Sequence, residues 1–202
     1  MIGISSCDVC SCKKVTCAAF NDELFNQWLP YRENQQLIFK TTAGIADTIR
    51  ISAVRKSEAY EGRTGGGFGC GKGCFADVSI TGTDAGGTDF QKLQVYATKS
   101  DAKGDGTGVL SNLDVHSGSY NSRFYAGTLR DTGFAVIENQ RKASTLFSSS
   151  LNIASRTFAN VQTITLDTAS FKLPGVYKYY FAKGSGIVAW ESYPDKTLWI
   201  KE

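Results

Sequence analysis

The chain has 202 residues, 42% of them hydrophobic and 12% aromatic, with a formal net charge of +3. That length and apolar share suit one domain with a substantial core, and no run approaches the roughly 18 apolar residues a membrane helix needs. The 22 basic and 19 acidic side chains are interspersed, without a basic stripe or aromatic-interleaved arm, which argues against nucleic acid as a partner.

The chain opens Met1-Ile2-Gly3-Ile4-Ser5-Ser6-Cys7. An aliphatic residue, two small residues and a cysteine form the core of the box read by bacterial lipoprotein signal peptidase, which makes Cys7 the expected lipidation site. A secretory leader also needs a basic segment and an apolar stretch of about 7 to 15 residues. The residues before Cys7 carry no charge, so this reading requires a leader upstream of Met1; the alternative is an ordinary cytosolic N-terminus. Residues 1–18 then read as a cysteine-rich tether and residues 19–202 as a single β-rich domain. Asp8, Ser11, Lys13 and Lys14 give the tether little to bury.

Cys10, Cys12 and Cys17 follow in the tether, and Cys70 and Cys74 lie in a glycine-rich stretch. Such clustering points to bridges or metal rather than to buried thiols. Disulfides suit an oxidising compartment. Zinc is the rival, since Cys7-x2-Cys10 and Cys70-x3-Cys74 offer two ligand pairs of roughly suitable spacing. The distance between the pairs and the mobility of glycine both count against it.

Next comes the one credible helix. Phe20, Leu24, Phe25, Trp28 and Leu29 recur at helical spacing, Asn21 or Asp22 can cap, and Pro30 stops it. After it the period falls to two. Ile49, Ile51 and Ala53 alternate with Thr48, Arg50 and Ser52; Ala76, Val78 and Ile80 with Asp77, Ser79 and Thr81; Leu93, Val95 and Ala97 with Gln94, Tyr96 and Thr98. These patterns predict strands with one face in a core and one in water. Further strands are expected at Gln36–Thr41, Leu113–His116, Arg123–Ala126, Phe134–Glu138, Ser150–Ile153, Val161–Leu166, Tyr177–Ala182, Gly186–Glu191 and Thr197–Lys201. Turn formers separate them, and stretches 62–73 and 100–108 read as long hairpin loops. Many short strands with one short N-terminal helix predict a mainly β fold, an antiparallel meander forming a barrel or strongly curved sheet.

Catalytic constellations are thin. The single histidine, His116, shares a strand face with Asp114, but no nucleophile or third ligand can be placed beside it. Asp101-Ala102-Lys103-Gly104-Asp105-Gly106 begins like a calcium loop, yet Lys103 and Asn112 stand where ligands belong. Gly65-Gly66-Gly67-Phe68-Gly69 is followed by neither the Gly-Lys-Ser/Thr nor the helix of a phosphate loop. No enzyme activity and no cofactor are expected.

In the C-terminal third, Leu151-Asn152-Ile153-Ala154-Ser155-Arg156-Thr157-Phe158-Ala159-Asn160-Val161 is similar to a hairpin common in small lipoproteins of the Bacteroidota. Tyr179-Tyr180-Phe181-Ala182-Lys183-Gly184-Ser185-Gly186-Ile187-Val188 resembles their aromatic strand, Lys-Gly-x-Gly turn and following strand. Leu29-Pro30-Tyr31 with Leu37-Ile38-Phe39 is similar to their opening strand. The resemblance implies a curved antiparallel sheet and export, and carries no chemistry. The cysteine-rich leader and the Cys70–Cys74 loop depart from the family pattern.

The expected function is therefore that of an exported, lipid-anchored binding domain in the cell envelope, for a hydrophobic ligand or an envelope partner. The alternative is a structural or interaction module with a filled core and a disulfide- or zinc-stabilised cysteine loop, without a small-molecule ligand. Tyr177, Tyr179, Tyr180, Phe181, Trp190, Tyr193 and Trp199 crowd one hairpin region, and they either line a ligand cavity or fill the core.

Overall fold

A computed structural model describes residues 23–56, 60–63, 72–86, 91–101, 109–117, 125–137, 142–170 and 175–202. The tether of residues 1–18, with Cys7, Cys10, Cys12 and Cys17, lies outside them, as does Cys70. One helix, α1 (Glu23–Trp28), precedes thirteen strands: β1 (Gln36–Thr41), β2 (Ala46–Lys56), β3 (Tyr60–Arg63), β4 (Lys72–Asp84), β5 (Gln91–Asp101), β6 (Val109–Ser117), β7 (Tyr125–Arg130), β8 (Gly133–Ile137), β9 (Ala143–Ile153), β10 (Arg156–Leu166), β11 (Gly175–Ala182), β12 (Gly186–Tyr193) and β13 (Leu198–Lys201). No helix among the described residues is long and apolar enough to cross a membrane.

The strands form one antiparallel sheet in the order β8-β7-β6-β5-β4-β2-β1-β13-β12-β11-β10-β9, with β3 pairing the start of β4. The predicted meander is therefore present, curled into an incomplete barrel. Register shifts between Ile51 and Ala53, between Gly82 and Thr83, and twice along β11 help it curl, because each bulge sharpens local twist. The ladder between β1 and β13 zips the two ends of the domain together. The free ends of the path are β8 and β9, which are consecutive in the chain.

The core occupies the concave side. Leu37 and Phe39, Ile49 and Ile51, Val78 and Ile80, and Leu93 and Val95 each contribute alternate buried residues from one strand. Helix α1 lies against this face. Phe25, Trp28 and Leu29 make a stripe at i, i+3 and i+4, and all three are buried. The Leu29 amide donates to the Phe25 carbonyl at 2.8 Å, and Pro30 cannot continue the helix. Rings interlock inside: Trp28 meets Phe134 at 6.0 Å between centroids, Phe134 meets Phe181 edge-on at 5.3 Å, and Phe39 meets Trp190 at 4.0 Å.

A second cluster sits on the opposite face of β11 and β12. Asn160 adopts a left-handed conformation, and beyond it the β9–β10 hairpin brings Ile153, Leu151 and Phe158 onto Val161, Ala182, Val188 and Ala189. The Arg156 guanidinium donates to the Lys201 carbonyl, tying this tip to β13.

Two expectations change in detail. The stretch taken as a loop from residue 62 begins inside β3, whose Tyr60–Arg63 pairs with Phe75–Lys72; glycine content hid a strand that its partner stabilises. In the strands expected at Tyr177–Ala182 and Gly186–Glu191, simple alternation would put Tyr177, Tyr179, Phe181, Ile187 and Ala189 on one face, and it breaks twice. Register shifts at Val176/Lys178 and Tyr180/Phe181 leave Tyr179, Phe181 and Ile187 in the main core, while Ala189 joins the second cluster and Tyr177 reaches Glu191. The hairpin between Tyr177–Ala182 and Gly186–Glu191 is otherwise as predicted.

Candidate functional site

Among the described residues three surface features stand out beyond the core. The first is the seam between β8 and β9. No backbone ladder joins these strands among the described residues. Instead Gln162 of β10, buried, offers its side-chain amide to β8. The Phe134 amide donates to Gln162 Oε1 at 2.7 Å, and Gln162 Nε2 donates to the Phe134 carbonyl at 2.6 Å. One side chain thus stands in for the missing strand partner. Gly133, at φ 103°, lets the backbone come this close, since a Cβ there would collide with the Gln162 amide.

A cleft of about 280 Å³ opens along the seam, lined by Arg130, Thr132, Gly133, Phe134, Thr145, Phe147 and Gln162. Beside it β9 carries Leu146, 65% exposed, and Phe147, 37% exposed. The eleven residues of β9, Ala143–Ile153, include no charge and no proline. Natural edge strands are usually blunted by such residues.

The second feature is a polar knot on the other face of β11 and β12. Tyr177 and Tyr180 donate their hydroxyls to Glu191, and Lys178 Nζ donates to Glu191 Oε1 at 3.0 Å. Lys178 also stands 5.8 Å from both tyrosine ring centroids. Burial alone would raise the Glu191 carboxyl, but these three donors and the lysine charge outweigh it and hold the group below its ordinary range. Burial, then hydrogen bonding to Glu191, then its charge push the Tyr177 phenol up to about 12, and Tyr180 moves the same way. A nucleophile or base would need the opposite shifts, so the knot reads as a structural pin.

The third feature lies at one end of the barrel. The segment after α1 crosses this end as a strap. Gly184 N donates to the Gln27 carbonyl at 2.6 Å, Ile187 N to Tyr31 Oη at 2.8 Å, and Asn34 N to the Ile51 carbonyl at 2.8 Å. Gly186, at φ 73°, allows Tyr31 to sit against the turn, because a Cβ there would lie 2.5 Å from the hydroxyl oxygen. Between strap and turn is a cleft of about 600 Å³ lined by Pro30, Arg32, Glu33, Asn34, Gln35, Gly184, Ser185 and Lys201. Lys201 points in from β13 and donates to the Ser185 carbonyl at 2.9 Å. Burial lowers its pKa, and among the described residues no carboxylate pairs with it.

The residues singled out from sequence contribute little to these features. Cys74 falls within β4 opposite Glu61 and Asp101, and Cys70 lies outside the described residues. Asp114 and His116 pair along the backbone with Tyr96 and Gln94 of β5. The calcium-like loop lies outside the described residues beyond Asp101. Of the crowded aromatics, Tyr179, Phe181 and Trp190 are core, and Trp199 stacks on Trp190 at 6.1 Å. Gln162, Glu191, Lys201 and the β9 edge were missed. Only the last had a sequence signal, the uncharged run from Ala143 to Ile153. No protein family, curated protein or solved structure was found to match the chain.

Proposed function

We propose that this protein is an exported, lipid-anchored interaction domain that takes up an extended segment of an envelope partner at the free edge of β9. The observation that carries the reading is that edge itself: eleven uncharged residues at one end of the sheet, with Leu146 65% exposed. Strand addition draws affinity from backbone hydrogen bonds and specificity from alternate side chains. Leu146 and Phe147, with the cleft behind them, supply the side-chain part.

Among the described residues the concave face is closely packed, with Trp28 at 0% exposure, and this favours a partner over an apolar ligand carried inside. Anchoring through Cys7 rests on the lipobox-like Ile4-Ser5-Ser6-Cys7. The chains of a processed lipoprotein hold firmly to a bilayer, and a tether of about ten residues reaches roughly 15 to 20 Å as a coil. That places the domain within reach of other envelope proteins.

A photo-reactive amino acid at position 146 in the native host tests the reading. Ile45, on the β1–β2 turn, is 61% exposed and serves as a control of matched accessibility. A discrete adduct with one envelope protein is expected from position 146 and not from position 45. Equal labelling at both positions, or none at 146, would contradict strand uptake.

A further inference from the structure

We propose that the strap-end cleft is a binding site for a phosphate ester, seated on Lys201 and the side-chain amides of Asn34 and Gln35. The site is separate from the β9 edge, so it goes beyond the interaction reading and stands or falls without it.

The argument starts from hydrogen-bond polarity. The Asn34 side-chain oxygen accepts from Arg50 Nη2 at 3.0 Å, and the Gln35 side-chain oxygen accepts from the Arg32 backbone amide at 3.1 Å. With each oxygen engaged, the NH2 groups are the ends left for a ligand. Lys201 has three N–H donors and gives one to the Ser185 carbonyl. Arg32 adds a guanidinium at the rim, and Glu33 is the one carboxylate among the lining residues. The cleft is therefore rich in donors, poor in acceptors and positive by one charge.

Among the described residues no carboxylate pairs with Lys201, and a half-buried ammonium left so is a costly arrangement unless an anion completes it. Elsewhere among the described residues comparably buried lysines are paired: Lys92 with Asp47, Lys178 with Glu191 and Lys183 with Asp131. Lys201 departs from that pattern where a cleft of about 600 Å³ faces it, within the range of small-molecule sites. Charge-assisted hydrogen bonds to an oxyanion suit such a donor set. The polar lining fits a phosphate on a hydrophilic body. Two sources share that chemistry, a free phosphate ester and an anionic lipid headgroup.

The test uses the whole protein with glycerol 3-phosphate in one arm. In the other, vesicles of phosphatidylglycerol are compared with vesicles of phosphatidylcholine. Binding is read by calorimetry and by co-sedimentation. Lys201→Met should weaken binding about tenfold or more, the worth of one charge-assisted hydrogen bond. Arg32→Gln, at an exposed position that leaves folding intact, should weaken it less. Lys40→Met, whose partner is Glu202 outside the cleft, should leave it unchanged. Lys201-dependent binding of the free ester supports the site with a soluble ligand, and Lys201-dependent binding of phosphatidylglycerol vesicles alone supports it with a headgroup. Binding in neither arm, or binding that ignores both Lys201 and Arg32, overturns the proposal.

Discussion

Replacing Trp28 with alanine is expected to remove about 3–5 kcal/mol of folding stability, the usual cost of truncating a large, fully buried ring. Trp28 is 0% exposed and reaches from α1 into the concave face, where it meets Phe134. Two losses combine. The apolar area leaves the core, and the sheet cannot collapse into the void because its ladders fix the strand positions. A conservative variant separates these losses from polar effects. Trp28 Nε1 is buried without a hydrogen-bond partner, so Trp28→Phe discards a donor that is already unsatisfied. Its cost should be well below that of alanine. Urea unfolding followed by circular dichroism measures both. A Trp28→Ala cost under about 1 kcal/mol would mean that α1 does not pack inside the sheet.

The second large effect is expected at the seam. Gln162→Leu keeps the volume approximately and removes both hydrogen bonds to Phe134. A buried N–H and a buried C=O are then left without partners, at about 1–3 kcal/mol each. The expected loss is about 2–6 kcal/mol in total. Gly133→Ala should act similarly from the other side, since its Cβ would displace the same amide. The damage should also be local: amides of β8 should exchange faster with solvent, while those of β12 and β13 keep their protection. Uniform loss of protection would place the clamp elsewhere in the fold's cooperativity.

How much of this was legible from sequence varies by element. Strand β1 was read to the residue, because Leu37 and Phe39 alternate cleanly with wet positions. Strand β9 was cut to its last four residues, because Ser144, Thr145, Ser148, Ser149 and Ser150 give no apolar period. It forms because β10 offers a ladder over nearly its whole length. The helix was drawn from Phe20 and is described from Glu23, with its buried stripe as expected. The fates of Tyr177 and Ala189 depended on bulges, which depend on neighbouring strands and leave no mark in the local pattern.

The site was less legible than the fold, for a related reason. Gln162 reads as one more polar residue in Val161–Leu166, and only the juxtaposition of β8 and β10 turns it into a clamp. Lys201 reads as a terminal surface lysine, and only the strap and the Ser185 turn bury it. Both roles come from contacts between residues far apart in the chain. Cysteine, histidine and acidic motifs drew attention in the sequence because their chemistry is local.

Backbone amide exchange along β9 in the isolated protein tests the central claim most directly. Alternate amides of Ala143–Ser150 that face away from β10 should exchange as fast as unprotected peptide, while amides within the β1–β13 and β11–β12 ladders stay protected. Protection at every amide of β9, equal to that of β10, would mean that the edge is already covered, and that no partner strand is received there.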